Sequence, residues 1–424
     1  MSMNYNVLIE EFCETYGLGE VKEANLLPTG LGNQTYAVET VNGKYVIKAL
    51  NPSQVKTESD IRRLELTERI SELVSKNGIS SIPAKRINGK IVNTLHEQHY
   101  MVFDFFKGRI IPLNSLTNEI CFEAGQLLAD LHQMNFEELS NEDLNHHIRD
   151  FQYGVQLKLR VDWNYYLKKA TISSPEWLGY LKESIDDLYE MFDLSFAAYL
   201  SFVPQDVVIS HGDIFNQNIL WKDNTPHIID WESSGFIDAT YDFLYTSIRW
   251  ATRNYVKPGE ESVDKNRLYA FIEGYVERKS VNIENLEISL YVILYKRLGY
   301  FRNAFIKYFN PKDKIAKERA EKQIIYTLSI FKGYKNLIDQ LDDIKQHIIK
   351  RQLKQVYKKS PSYEVMSKIE QLIGNYNNKL DEISNDYKKQ KRKANKSTKE
   401  LEDIKKVIID FGTLVHDTSM ESND

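Results

Sequence analysis

The apolar positions change period along the chain, and the change divides it. Residues 5–16 space their apolar side chains like one face of a short helix. Short strand-like stretches follow at 24–27, 34–40 and 45–50, and Asn42-Gly43, a strong two-residue hairpin turn, joins the last two. Over 57–76 the pattern turns helical, with Ile61, Leu64, Ile70 and Leu73 as the apolar positions, and Asn77-Gly78 ends it. A second Asn-Gly pair at 88–89 separates two further strand candidates. The stretch 99–105 is the last strand of this block, which Lys107-Gly108 breaks.

Beyond residue 110 helices take over. An amphipathic helix is predicted over 118–133, with Ile120, Phe122, Leu127, Leu128 and Leu131 apolar. Residues 140–200, rich in aromatics and charge, read as an irregular helical insert. The stretch 203–210 leads into 211–232, and helices follow at 239–253, 264–278, 284–308 and 314–338. The tail from about 340 has only Pro361, Gly374 and Gly412 as breakers, which predicts two or three long helices, a helical hairpin or an oligomerisation arm. The expected class is α+β: a sheet-plus-helix lobe over 1–105, a mostly helical lobe over 106–338 and a helical extension over 339–424.

Composition supports a packed core and excludes disorder, since 42% of residues are hydrophobic and 12% aromatic. The net charge of −5 gives no general affinity for nucleic acid. It is uneven: from residue 311 onward 24 Lys+Arg face 18 Asp+Glu, leaving the rest of the chain at −11. An acidic body can steer a cationic substrate, and it also simply keeps a protein soluble. The basic run KKQKRKANKSTK at 388–399 fits a solvated helix face, a linker or an interaction patch. Cys13 and Cys121 are too far apart for metal-ligand spacing, and two cysteines make no disulfide framework. The acidic N-terminal segment lacks the basic and apolar regions of a signal peptide, and no apolar run is long enough for a membrane span. A cytoplasmic protein is expected, with no membrane partner.

The densest chemistry lies in 211–232. His211-Gly212-Asp213-Ile214-Phe215-Asn216-Gln217-Asn218 runs into Ile219-Leu220-Trp221, and beyond a turn at Asp223-Asn224 comes His227-Ile228-Ile229-Asp230-Trp231-Glu232. Two short strands around a turn bring Asn218 and Asp230 to the same end of a ribbon. An amide oxygen and a carboxylate there suit Mg²⁺, a hard cation that completes its shell with phosphate oxygens. Asp213 is one loop away and can accept a proton from a hydroxyl. A loop Asp, an Asn five residues on and a metal-binding Asp after a hairpin is the arrangement of phosphoryl-transferring kinases.

HGDIFNQNILW followed by IIDWE resembles the signature of the aminoglycoside phosphotransferase and choline kinase superfamily, whose fold is protein-kinase-like with two lobes. TGLGNQTYAVET with KYVIKAL is similar to that family's nucleotide-binding hairpin and β3 lysine. GQLLADLHQM and YDFLYTSIRW resemble the helices before the catalytic loop and after the metal-binding Asp. The resemblance spans about residues 20–335 and leaves out the tail. It implies an ATP- and Mg²⁺-dependent small-molecule kinase with Asp213 as base, Asn218 and Asp230 as metal ligands, and Lys48 on the α/β-phosphates. It also implies a helix carboxylate to hold Lys48, for which Glu65 is the choice, ahead of Glu58 and Glu68.

Gly30, Gly32 and Asn33 between strands bring backbone N–H groups close to phosphate oxygens, although neither a Walker A loop nor a full G-x-G-x-x-G is present. By resemblance, adenine meets the backbone at the hinge, through Asp104 C=O and Phe106 N–H. His211 is expected to brace the loop and Trp231 to pack, whereas Glu232, Asp238 and Asp242 fit structural or binding roles. Aromatics and carboxylates in the acceptor region favour an amino sugar or amino alcohol. The alternatives are a homoserine- or sugar-type metabolite, a spore-coat-type structural protein on the same scaffold, and, least in keeping with the motifs, a protein kinase. The C-terminal helices are the candidate surface for self-association.

Overall fold

In the computed structural model, described residues are 5–27, 33–53, 55–139, 149–150, 161–253 and 262–359. Two compact units divide the chain, Met1–Gln352 and Leu353–Asp424. Of the second, only the end of one helix is described. The rest of the expected tail helices, with the self-association assigned to them and the basic run at 388–399, lies outside the described residues.

The first unit begins with helix α1 (Tyr5–Thr15) and strands β1 (Val21–Leu26), β2 (Gln34–Thr40) and β3 (Lys44–Ala49). Helix α2 (Glu58–Lys76) follows, then β4 (Asn93–Leu95) and β5 (Gln98–Asp104). The five strands form one antiparallel sheet in the order β1-β2-β3-β5-β4. Before Asn88 the expected strand is reduced to an isolated bridge, Ile87 to Lys90. Alternation sorts the two faces of the sheet. Tyr36, Val38, Ile47, Tyr100 and Val102 pack with Ile9 and Phe12 of α1 on one face. Met101 packs with Leu64 of α2 on the other. Lys48 lies opposite Met101 in the ladder, so it shares the α2 face. Helix α2 starts where the sequence expects: Thr57 accepts from the Asp60 N–H and Asp60 accepts from the Thr57 N–H, a complete capping box.

The helical part contains α3 (Asn118–Leu131), α4 (Trp163–Ser173), α5 (Leu178–Ser201), α6 (Ala239–Ala251), α7 (Lys265–Val276), α8 (Leu286–Phe309) and α9 (Lys314–Asp339). Helix α10 (Leu341–Lys359) runs on into the second unit. The described part of the 140–200 segment is therefore more regular than its composition suggested. Trp163 and Trp177, both wholly buried, anchor it against Phe305 of α8. Helices α3 and α7 meet backbone to backbone. A Cβ on Gly125 would overlap the carbonyl of Phe271, and one on Gly274 would overlap that of Phe122.

Three strands lie between the helices in the order β6 (Arg149–Asp150), β10 (Gly235–Asp238), β7 (Val207–Ser210). A separate hairpin pairs β8 (Ile219–Lys222) with β9 (Thr225–Ile228). The fold is thus α+β and two-lobed, an antiparallel sheet with a helix followed by a mostly helical remainder. Among the described residues no helix is long and apolar enough to cross a membrane. Cys13 and Cys121 are buried free thiols.

Candidate active site

The site forms where β7 ends and the β8–β9 hairpin begins. Gly212 takes a left-handed φ of 72°, a turn open to glycine at little cost, and Asp213 follows it. The buried His211 ties this loop together. Its Nδ1 accepts from the Asp213 N–H at 3.2 Å, and its Nε2 lies 3.0 Å from the Ile229 carbonyl as donor. That pattern needs a neutral imidazole, in keeping with a pKa that burial pushes down. His211 therefore links the stretch carrying Asp213 to the one carrying Asp230. Trp231, fully buried, stands edge-on to its ring at 4.8 Å.

Ile219 pairs with Ile228 in the hairpin, and the Ile229 N–H donates to the Asn218 carbonyl at 3.0 Å, so residues 218 and 229 meet at one end of the ribbon. Asp223 and Asn224 both have positive φ, 49° and 63°, as a tight hairpin turn requires. The Asn218 amide nitrogen donates to the Asp213 carboxylate at 2.8 Å and to its carbonyl at 2.9 Å. That leaves the amide oxygen to meet a hard cation. Asp230 itself is held at φ 66°, an unusual conformation for a residue with a side chain. Among the described residues no group of three or more His, Cys, Asp or Glu is arranged to hold a metal. One carboxylate and one amide is the smaller set that Mg²⁺ uses when phosphates supply further ligands.

Lys48 reaches this end of the hairpin from β3. Its ammonium lies 2.7 Å from Asp230 and 2.5 Å from Glu232. Burial works against the charge, but the two carboxylates outweigh it and raise the lysine pKa above its ordinary value. For Asp230 burial also opposes ionisation, and Lys48 again wins, lowering its pKa. Glu232 is the junction between the lobes. Its carboxylate accepts from Asn33 at 3.0 Å, and its carbonyl accepts from Arg63 of α2 at 3.0 Å. Asn33 also accepts from the Asn51 N–H at 2.8 Å. Gly30 and Gly32 lie outside the described residues.

On α2 the buried carboxylate is Glu68, three residues beyond the half-buried Glu65. Glu68 is 1% exposed and accepts from the Ala84 N–H at 2.7 Å. Burial raises its pKa to about 8, despite that hydrogen bond and Lys48. At the hinge Asp104 ends β5 and binds Lys85 at 2.7 Å, and the Phe106 ring lies 4.2 Å from that of His227. Asp238 caps α6 through the Tyr241 N–H. Asp242 is buried and accepts from Ser210 at 2.6 Å and from His132 at 3.1 Å, which fixes α6 to β7 and α3.

One site residue was missed in the sequence. Arg249, on α6, donates to the Asp213 carboxylate and lies over the Phe215 ring at 4.3 Å. The signal was present: nearly every other residue of α6 is buried, and an arginine in such a helix needs a partner.

Residues 23–279, more than half of the chain, match the phosphotransferase enzyme family. A homoserine kinase of Neisseria meningitidis serogroup B is 24% identical over 269 residues, covering 62% of this chain and 76% of that protein. Among solved structures, a spectinomycin phosphotransferase in complex with ADP and spectinomycin superposes with a TM-score of 0.54 at 14% identity, covering 80% of this chain and 98% of the other. A microcompartment-associated aminopropanol kinase gives 0.53 at 13% identity, covering 78% and 98%. By the family match over more than half of its length, this chain belongs to the phosphotransferase enzyme family and is a small-molecule kinase.

Proposed function

We propose that the protein transfers a phosphoryl group from Mg²⁺-bound ATP to a hydroxyl of a small molecule, with Asp213 as the base. The observation that carries this reading is the meeting of Asp213, Asn218, Asp230 and Lys48, the last delivered 182 residues away in sequence by the sheet. Mg²⁺-ATP supplies the activated phosphoryl group with its charge partly neutralised. Asn218 and Asp230 would hold Mg²⁺, and Lys48, here paired with Asp230 and Glu232, would meet the α/β-phosphates. The brace of Lys48 is assigned to a carboxylate of α2, Glu65 ahead of Glu58 and Glu68. Asp213, held between Arg249 and Asn218, accepts the hydroxyl proton as the new oxygen–phosphorus bond forms and ADP leaves.

Gly30, Gly32 and Asn33 are assigned to the phosphates, and the backbone of Asp104 and Phe106 to adenine. The acceptor classes expected are an amino sugar or amino alcohol, or a homoserine- or sugar-type metabolite. ATP consumption with Mg²⁺ across such a panel tests the reading. Asp213→Ala should lower turnover by about 10²–10⁴-fold with nucleotide binding by calorimetry unchanged. Full activity in that variant would refute the role given to Asp213.

A further inference from the structure

The apolar side chains that face water are not spread evenly over the helical lobe. At one end of it α4 finishes, α5 begins, α8 finishes and α9 begins. Aromatic contacts tie these ends together. Tyr166 of α4 stacks on Phe305 and Phe309 of α8 at 4.9 and 6.0 Å. Trp177, just before α5, meets Phe305 and Tyr308 at 5.3 Å each. Lys317 of α9 lies 5.0 Å from the Tyr308 ring, and Lys169 lies over both Tyr165 and Phe309. Outside this cluster Ile172 is 88% and Ile315 60% exposed, with Tyr165, Tyr180 and Ile306 between 37% and 48%. Five of the thirteen exposed large apolar side chains among the described residues thus stand at this one end.

Exposed cations alternate with them. Lys168 sits one turn before Ile172, Lys307 follows Ile306, and Lys312 and Lys314 lead into Ile315; all four lysines are exposed. Segments 165–176 and 302–321 together hold eight Lys+Arg and four Asp+Glu, in a chain whose net charge is −5. One of those acids, Asp313, is engaged as the cap of α9 by the Ala316 N–H. This end therefore has the opposite sign to the chain as a whole. Isoleucines standing among lysines suit a layered surface, apolar beneath and negative above. The ammonium groups meet lipid phosphates while the aliphatic side chains and lysine stems reach the acyl boundary, and tyrosine favours the same depth. A rigid protein partner instead rewards one well-packed anchor in a pocket. Here the apolar side chains project separately from four helices, and a fluid surface takes each on its own.

We infer that this end of the helical lobe docks on an anionic lipid surface, with Ile172 and Ile315 entering the headgroup boundary and the lysines beside them pairing with lipid phosphates. The docking is independent of which hydroxyl Asp213 serves. The expectation of no membrane partner rested on the lack of a spanning segment, and peripheral docking needs none.

Co-sedimentation of the full chain with vesicles tests it, using phosphatidylcholine alone or with about 30% phosphatidylglycerol. The anionic vesicles should be bound at least about tenfold more tightly, and raising salt from about 0.1 to about 0.5 M should remove most of that preference. Lys168→Gln, Lys312→Gln and Lys314→Gln combined should cost about tenfold in affinity for the anionic vesicles. Ile172→Ser with Ile315→Ser should weaken binding by about as much without changing the charge. All these positions are exposed, so each variant should melt as wild type does. The basic run at 388–399 is the rival source of charge. Lys388→Gln, Lys389→Gln and Lys391→Gln combined should leave the dependence on Ile172 and Ile315 in place. Equal binding to both kinds of vesicle overturns the inference. So does anion-selective binding that the tail substitutions abolish and those at the helix ends leave unchanged. Binding that needs the lysines at the helix ends but is indifferent to both isoleucines also overturns it, because charge pairing alone is what an acidic protein would supply.

Discussion

Glu68 should make the protein less stable as pH rises through the neutral range. Its pKa is about 8 in the folded chain against an ordinary 4.5. The native state therefore holds a proton that the unfolded chain releases between those values. Stability falls wherever the native state binds more protons, so the cost is absent below about pH 4.5, grows through the window and is complete above about pH 8. That displacement corresponds to about 5 kcal/mol at full development, an upper figure for a residue that is 1% exposed. Glu68→Gln keeps an oxygen for the Ala84 N–H and has no charge to bury. The variant should match wild type in acid and melt several degrees higher than wild type at about pH 9. Thermal unfolding followed by circular dichroism across that range measures it. Parallel pH profiles for the two proteins would show that Glu68 does not titrate as a buried acid, and the reasoning from burial would fail.

Arg249→Met should lower kcat by about tenfold to a hundredfold with the nucleotide KM unchanged, because Asp213 loses the guanidinium that orients it; steady-state kinetics separates the two. Lys48→Met should raise the nucleotide KM and also lower the melting temperature, since Asp230 and Glu232 are left facing each other without their cation. Gly274→Ala should destabilise by about 2 kcal/mol or more, read as a lower midpoint in denaturant, because its methyl would meet the Phe122 carbonyl in the α3–α7 contact. Material that does fold should keep its nucleotide affinity.

Much of the frame was legible because local rules set it. The 223–224 turn and its flanking strands follow from neighbouring residues, and the two left-handed residues there are Asp and Asn, types that tolerate that conformation. The capping box before α2 is written in Thr57 and Asp60. Strand alternation puts Ile47 on the α1 face and Lys48 on the α2 face without reference to anything distant. Composition misled over 161–201, where aromatics and charge suggested irregularity. The segment is two ordinary helices, held by Trp163 in the first and Trp177 just before the second, which only their packing on Phe305 reveals.

What the sequence settled by itself, then, is the spacing of Asp213, Asn218 and Asp230, the hairpin between them, and the strand that carries Lys48. What tertiary structure decided is which side chains meet. Glu232 takes the Lys48 ammonium and bridges to Asn33 and Arg63, Glu68 is buried on the Ala84 N–H, and Arg249 takes Asp213. The contacts of Lys296 and Arg297 with the Tyr245 ring belong to the same kind. The reason is physical. A helix period tells which residues share a face, but the partner of that face lies on another helix, and long-range charge pairing depends on distance and burial that no local pattern encodes.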